Sequence, residues 1–253
     1  MAGLHYQEHG RGTPLVLLHG LGENMEFWEY QTPAFAHRYR VILIDLPGFG
    51  RSPRLSGPYS IAAMAQSVWA LLESLGIQRF YLLGHSMGGA VAQQLTLDHP
   101  QAVQKLVLTN TVPTFKPITL KQRFEVVYRL LVMRLLGSER LSKIGAQRMF
   151  PGEHQIELRR KCERRGAATD ARNYLDALRA LTRWSVLDRL HEFTMPVLIL
   201  AAEQDYFSRA DMLQFAYGLP HGRFRQFPGT HHAMAMEIPD LFNHAVMRFL
   251  DSH

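Results

Sequence analysis

Five short stretches of the chain are apolar on consecutive residues: Leu15–Leu18, Val41–Ile44, Phe80–Leu83, Leu106–Leu108 and Val197–Leu200. A strand with one wet face alternates apolar and polar residues, whereas a strand covered on both faces does not. The runs therefore predict parallel strands with helices packed on either side. Phe224–Phe227 is expected as a further strand, and Leu4–Glu8 as an antiparallel edge strand that turns at Gly10–Gly12 into Leu15. Helical periodicity fills the gaps. Ile61, Met64, Ala65, Val68, Leu72 and Leu75 form one stripe, with Ser60 placed as N-cap and Gly76 past the last turn. A second helix over 87–98 ends at His99-Pro100, and Pro239 opens a C-terminal helix that turns Phe242, Ala245, Val246, Phe249 and Leu250 inward. Strand–helix alternation with right-handed crossovers predicts an α/β fold: a mostly parallel, doubly wound sheet of seven or eight strands.

Residues 113–190 break this rhythm. They hold no convincing strand and read as three or four helices, a helical cap inserted after strand 6, with 1–112 and 191–253 as the core domain. In 121–136 the polar stripe is narrow (Gln122, Glu125, Arg129), and apolar side chains cover most of the circumference. Such a helix must bury two faces, one on the sheet domain and one against a substrate cavity or a partner. The segment also concentrates charge. It carries 17 Lys+Arg and 8 Asp+Glu, a net of 17 − 8 = +9, in a chain whose formal net charge is +6. The basic residues are interleaved with apolar ones at helical spacing and no nucleic-acid motif accompanies them, so they are expected on solvated helix faces.

The most specific local signal is Gly84-His85-Ser86-Met87-Gly88-Gly89, between the strand Phe80–Leu83 and the helix Ala90–Leu97. A Gly-x-Ser-x-Gly segment at a strand-to-helix turn is a nucleophile elbow: it presents the Ser86 hydroxyl above the sheet, with a helix N-terminus behind it. His19-Gly20-Leu21-Gly22 follows the strand Leu15–Leu18. Its open backbone lets the Leu21 N–H join the Met87 N–H as an oxyanion hole.

Over nearly its whole length the chain resembles the α/β-hydrolase fold family. In that family the serine is followed by an acid after a late strand and a histidine after the last one. The resemblance implies Asp205 as the acid, in Ala202-Glu203-Gln204-Asp205, where the family usually has Gly at the place of Ala202. Glu203 falls at a non-acid position, and Asp211 reads as a helix residue. For the base, Glu237 and Pro239 match the family's spacing from His232; His231 occupies the usual Gly position and is the fallback. Asp45, in Asp45-Leu46-Pro47-Gly48-Phe49-Gly50, reads as structural. Asn110, where some relatives carry their acid, cannot serve as a carboxylate.

The implied chemistry is acyl transfer. His232 takes the Ser86 proton, Asp205 orients the imidazole, and Leu21 and Met87 hold the oxyanion. A serine at the elbow disfavours dehalogenation and epoxide opening. The expectation is a carboxylesterase on small to medium acyl chains. C–C bond hydrolysis, enol-lactone and thioester cleavage share the same triad, and a ligand receptor with little turnover is the reading from another class. Leu21, Trp28, Phe115, Phe124 and Tyr128 are the candidate substrate-lining residues, with Trp184 and Met133 behind them. No cofactor or metal is implied, the partner is a small ester with no nucleic acid, and a homodimer is compatible with the sequence.

Composition is that of a globular chain: 47% hydrophobic and 20% charged residues exclude disorder and coiled coil. The single cysteine, Cys162, excludes an internal disulfide. No apolar run approaches the ~18 residues of a membrane span. Met1–Gly10 lacks the apolar core of a signal peptide, so a cytoplasmic location is expected.

Overall fold

The computed structural model describes residues 3–252. Seven strands form one sheet: β1 (Tyr6–His9), β2 (Thr13–Leu18), β3 (Tyr39–Ile44), β4 (Phe80–His85), β5 (Val103–Thr109), β6 (Val197–Ala202) and β7 (Gly222–Phe227), in the spatial order β1-β3-β2-β4-β5-β6-β7. β1 pairs antiparallel with β3, Tyr6 opposite Ile44, and every other pairing is parallel. The helical insert follows the fifth of these strands, β5, and not the sixth as expected, because only five strands precede it among the described residues.

Helices cover both faces, which explains the uninterrupted apolar runs. Successive side chains of a strand point to opposite faces. Val16, Leu18, Ile42, Ile44, Leu106, Leu108, Val197 and Ile199 share one apolar core with residues of α2 (Ile61–Ser74) and α3 (Met87–Asp98). Their neighbours Leu15, Leu17, Val41, Leu43, Val107, Leu198 and Leu200 pack on the other face with α1 (Thr32–Ala36) and α9 (Pro239–Asp251). Capping follows the sequence: Ser60 Oγ accepts from Ala63 N at 3.0 Å, and Gly76 takes φ +69°. β7 alternates exposed and covered residues because it is an edge, where Arg223 and Arg225 discourage further pairing.

Between β5 and β6 the chain runs through α4 (Leu120–Met149), α5 (Ile156–Ala167) and α6 (Ala171–Leu181). α4 is two helices joined at Gly137, whose φ +78° and ψ 179° interrupt the helix and suit a residue without Cβ. The two ends of the insert meet: Thr114 bridges Ser185, and Val186 N donates to Pro113 O at 2.8 Å. Val132, Met133, Leu141, Tyr174 and Leu178 form a small apolar cluster of its own, with Leu21 against it. After β6 come α7 (Arg209–Gly218), which includes Asp211, and the short α8 (Met234–Glu237) ahead of α9. Among the described residues no helix is long and apolar enough to cross a membrane.

Candidate active site

The parallel strands end on one edge of the sheet, and the segments leaving those ends carry the polar side chains of interest. A doubly wound sheet leaves its crevice at that edge. Ser86 leaves β4 with φ +51° and ψ −118°, a conformation that costs a non-glycine residue about 1–3 kcal/mol. The surroundings enforce it. A Cβ on Gly88 would lie 2.4 Å from the carbonyl oxygens of Leu18 and His19, and one on Gly84 would lie 2.5 Å from Gly88 O. The glycines thus let α3 press against β2 and drive the turn.

His232 leaves β7, with its Nε2 3.1 Å from Ser86 Oγ and its Nδ1 2.6 Å from Asp205 Oδ1. Asp205 accepts through Nδ1–H, which leaves Nε2 free to accept from the serine hydroxyl. The carboxylate is 2% exposed, and Oδ1 also accepts from Tyr206 N at 2.6 Å. The backbone around His232 is pinned twice. His85 Nε2–H donates to His232 O at 2.9 Å, and Asn110 Nδ2 donates to His231 O at 3.4 Å. The His85 ring stacks on Phe27 with centroids 4.5 Å apart. Burial, with the neighbouring His232 adding to it, pushes the His85 imidazole well below its usual pKa.

The alternatives are engaged elsewhere. His231 holds Glu237 through both its backbone N (2.7 Å) and its Nδ1 (3.0 Å). Glu203 accepts from Gly229 N at 2.8 Å. Asp45 accepts from Met25 N (2.8 Å), Arg51 N (2.9 Å) and the His5 ring (2.9 Å), which fixes the loop after β3.

The loop carrying Leu21 runs beside the elbow: a Cβ on Gly20 would come 3.3 Å from Ser86 Cβ. His19 anchors it. Its Nε2 accepts from Leu46 N at 3.0 Å, so Nδ1 carries the proton and donates to Gly20 O at 2.8 Å. Burial lowers the His19 pKa as well. The insert holds the far side of the loop, where Arg165 Nε donates to Glu23 Oε2 at 2.5 Å, with both side chains less than a tenth exposed. Cys162 Sγ donates to the other Glu23 oxygen at 3.3 Å; burial and that carboxylate raise the thiol pKa well above its ordinary value. Among the described residues neither the Leu21 nor the Met87 N–H has a hydrogen-bond acceptor.

Two of the five lining candidates are corrected. Trp28 is fully buried against Phe27, Phe242 and His85, in the core on the α9 side of the sheet, and touches no open space. Phe124 is 71% exposed on the outer surface of α4. Phe115 sits half-buried beside Phe207, with centroids 5.7 Å apart, and the Phe207 ring lies 6.2 Å from that of His232. Tyr128 packs on the insert's own cluster, with Arg148 over its ring. Met133 is a member of that cluster, and Trp184 donates from Nε1 to Gln94 at 3.0 Å. Three neighbours of the site went unread in the sequence. Tyr206 lies 4.8 Å from the His232 ring, Phe207 stands next to it, and the Arg129 guanidinium covers the Tyr206 ring at 5.2 Å. The first two directly follow Asp205, which is the signal that could have found them.

The arrangement can move a proton from a hydroxyl to an imidazole braced by a buried carboxylate, beside two unengaged backbone N–H groups. Known proteins match this sequence and fold. A family model described as the alpha/beta hydrolase fold matches residues 13–239. A putative carbamate hydrolase of Azorhizobium caulinodans is 30% identical over 98% of this chain and 95% of its own. A pimeloyl-[acyl-carrier protein] methyl ester esterase of Aeromonas hydrophila is 46% identical over 43% of this chain and 42% of its own. The crystal structure of a hydrolase from Pseudomonas aeruginosa superposes with a TM-score of 0.89 at 25% identity, covering 98% of this chain and 94% of that one. The chain is a hydrolase and belongs to the α/β-hydrolase fold family.

Proposed function

We propose that this hydrolase is a serine esterase that cleaves carboxylic esters of small to medium acyl chains through an acyl-enzyme on Ser86. The observation that carries the reading is the continuous path from Ser86 Oγ through His232 to the buried Asp205, at 3.1 and 2.6 Å. His232 Nε2 takes the hydroxyl proton as Oγ bonds to the ester carbonyl carbon. The carbonyl oxygen becomes an oxyanion, which accepts hydrogen bonds from the N–H groups of Leu21 and Met87. Collapse breaks the bond to the alcohol oxygen, and His232 returns its proton to that leaving group. Water then attacks the acyl-enzyme, its proton passing to His232 and on to Ser86 Oγ, and the carboxylic acid leaves. Asp205 stays ionised and stabilises the imidazolium. Leu21 and Phe115, with Phe207 and Tyr206, are positioned to contact the acyl or alcohol group.

The name of the Aeromonas relative supports an ester as the bond. The carbamate hydrolase names of full-length relatives favour a second reading, in which the same serine attacks a carbamate carbonyl. A series of p-nitrophenyl esters of increasing chain length, run beside p-nitrophenyl carbamates, separates the two. The ester reading expects turnover that favours short and medium acyl chains over carbamates, and a loss of about 10³-fold or more in Ser86→Ala. Carbamates outpacing every ester would replace the substrate. A Ser86→Ala protein with most of its rate would remove the serine from the reaction.

A further inference from the structure

The first half of α4 carries a face that nothing covers. Leu120, Phe124, Val127, Leu131 and Leu135 are between 50% and 82% exposed. At about 100° per residue they fall within roughly 80° of the helix circumference, a ridge about 22 Å long. Ile118 before the helix and Leu136 at its end are also exposed and lengthen it. The opposite side of the same helix is occupied: Arg129 covers Tyr206, and Val132 and Met133 pack on Tyr174 and Leu178. The ridge therefore points away from Ser86. It is too long and continuous to be the scattered surface leucines normal to a monomer.

The charges beside it are of one sign. Arg123 and Arg134 border one flank and Lys121 the other, with Lys116 just before the helix, all exposed. Among the described residues none of the four is in a salt bridge. The one acid of this stretch, Glu125, is turned to the other side and held by Arg129 and Arg148.

We propose that this face of the insert docks on an anionic lipid surface, with the apolar ridge seated at the boundary between headgroups and acyl chains. A helix with leucines and a phenylalanine along one line and lysine and arginine on the flanks lies flat in such an interface. The long basic side chains reach back to the phosphates. A second copy of this chain fits poorly, because two-fold pairing of the face would set these cations against one another. The charge surplus of the whole insert, +9 over 113–190, adds attraction to the same surface. No described helix can span the bilayer, so the contact is peripheral.

The test is co-sedimentation with vesicles of phosphatidylcholine alone and of phosphatidylcholine mixed with phosphatidylglycerol. Wild type is compared with L120S/L131S/L135S and with K121E/R123E/R134E. All six positions are exposed and outside the site, so folding and turnover of a soluble ester stay at the wild-type level. The expected result is wild-type partitioning at least tenfold stronger onto the anionic vesicles and weakened by salt, with at least a tenfold loss in either triple variant. Wild type left in the supernatant with anionic vesicles overturns the proposal. So does full binding by the serine triple variant, which would reduce the effect to charge alone. A wild-type dimer in analytical ultracentrifugation that the serine triple variant dissolves assigns the ridge to a second copy instead.

Discussion

At the scale of single residues, the two adjacent histidines show how local geometry assigns roles that spacing alone leaves balanced. Both follow β7, yet the His231 side chain is turned to Glu237 and the His232 side chain to Ser86 and Asp205. His232→Ala is expected to lower kcat by about 10³-fold or more, as the loss of a general base does. His231→Ala is expected to keep kcat within about threefold and to cost stability instead, because it removes one partner of a partly buried carboxylate. Steady-state kinetics beside urea denaturation separates the two effects. A crippled His231→Ala with an intact fold would reverse the assignment. The elbow itself was legible because its glycines have a steric reason to be there: Gly84 and Gly88 stand where any Cβ would meet backbone oxygen at 2.4–2.5 Å. Trp28 was not legible in the same way. Sequence shows a large aromatic near the loop that bears Leu21, and only the packing of Phe27, Phe242 and His85 around it shows that it faces the core.

At the scale of elements, the strands were readable because a fully covered strand needs apolar residues at every position. The N-terminal edge strand was readable from the turn glycines that follow it. α4 was the harder element. Its narrow polar stripe predicts a helix buried on two faces, but Arg129, paired with Glu125, lies over Tyr206 on the protein side, and Leu120, Leu131 and Leu135 face out. An amphipathic pattern states that two faces differ, not which one meets the protein. The break at Gly137 has no periodic signature either, since the apolar pattern runs on through it. α5 ties the insert to the core through Arg165 and Glu23, a nearly water-free ion pair beneath the loop that bears Leu21. Removing one partner strands the other. Arg165→Met is expected to cost about 3–5 kcal/mol in urea denaturation, whereas Glu23→Leu/Arg165→Met costs clearly less. A loss in the double variant equal to the sum of the two single losses would show that the pair contributes packing and no electrostatic coupling.

At the scale of the whole molecule, stability depends on pH through groups far from solvent. His19 and His85 are both buried, and burial depresses both imidazoles below the ordinary value of 6.5. The folded protein keeps them neutral, while the unfolded chain binds protons below that pH. Their contribution is therefore complete above about pH 6.5 and lost as the pH falls below it, by up to about 1.4 kcal/mol per pH unit for each histidine. Urea midpoints should fall between about pH 6.5 and pH 5, and His85→Gln should make that decline shallower. A flat wild-type profile in this window would contradict the account. The larger claim at this scale is that the ends of β4, β6 and β7, far apart in the chain, bring one hydroxyl, one carboxylate and one imidazole into a single reactive unit. Labelling with an organophosphonate that phosphonylates activated serines, followed by peptide mass mapping, reads this directly. The account predicts one adduct per chain, located at Ser86, and none in Ser86→Ala or His232→Ala. An unlabelled wild type, or an adduct at any other residue, would contradict it.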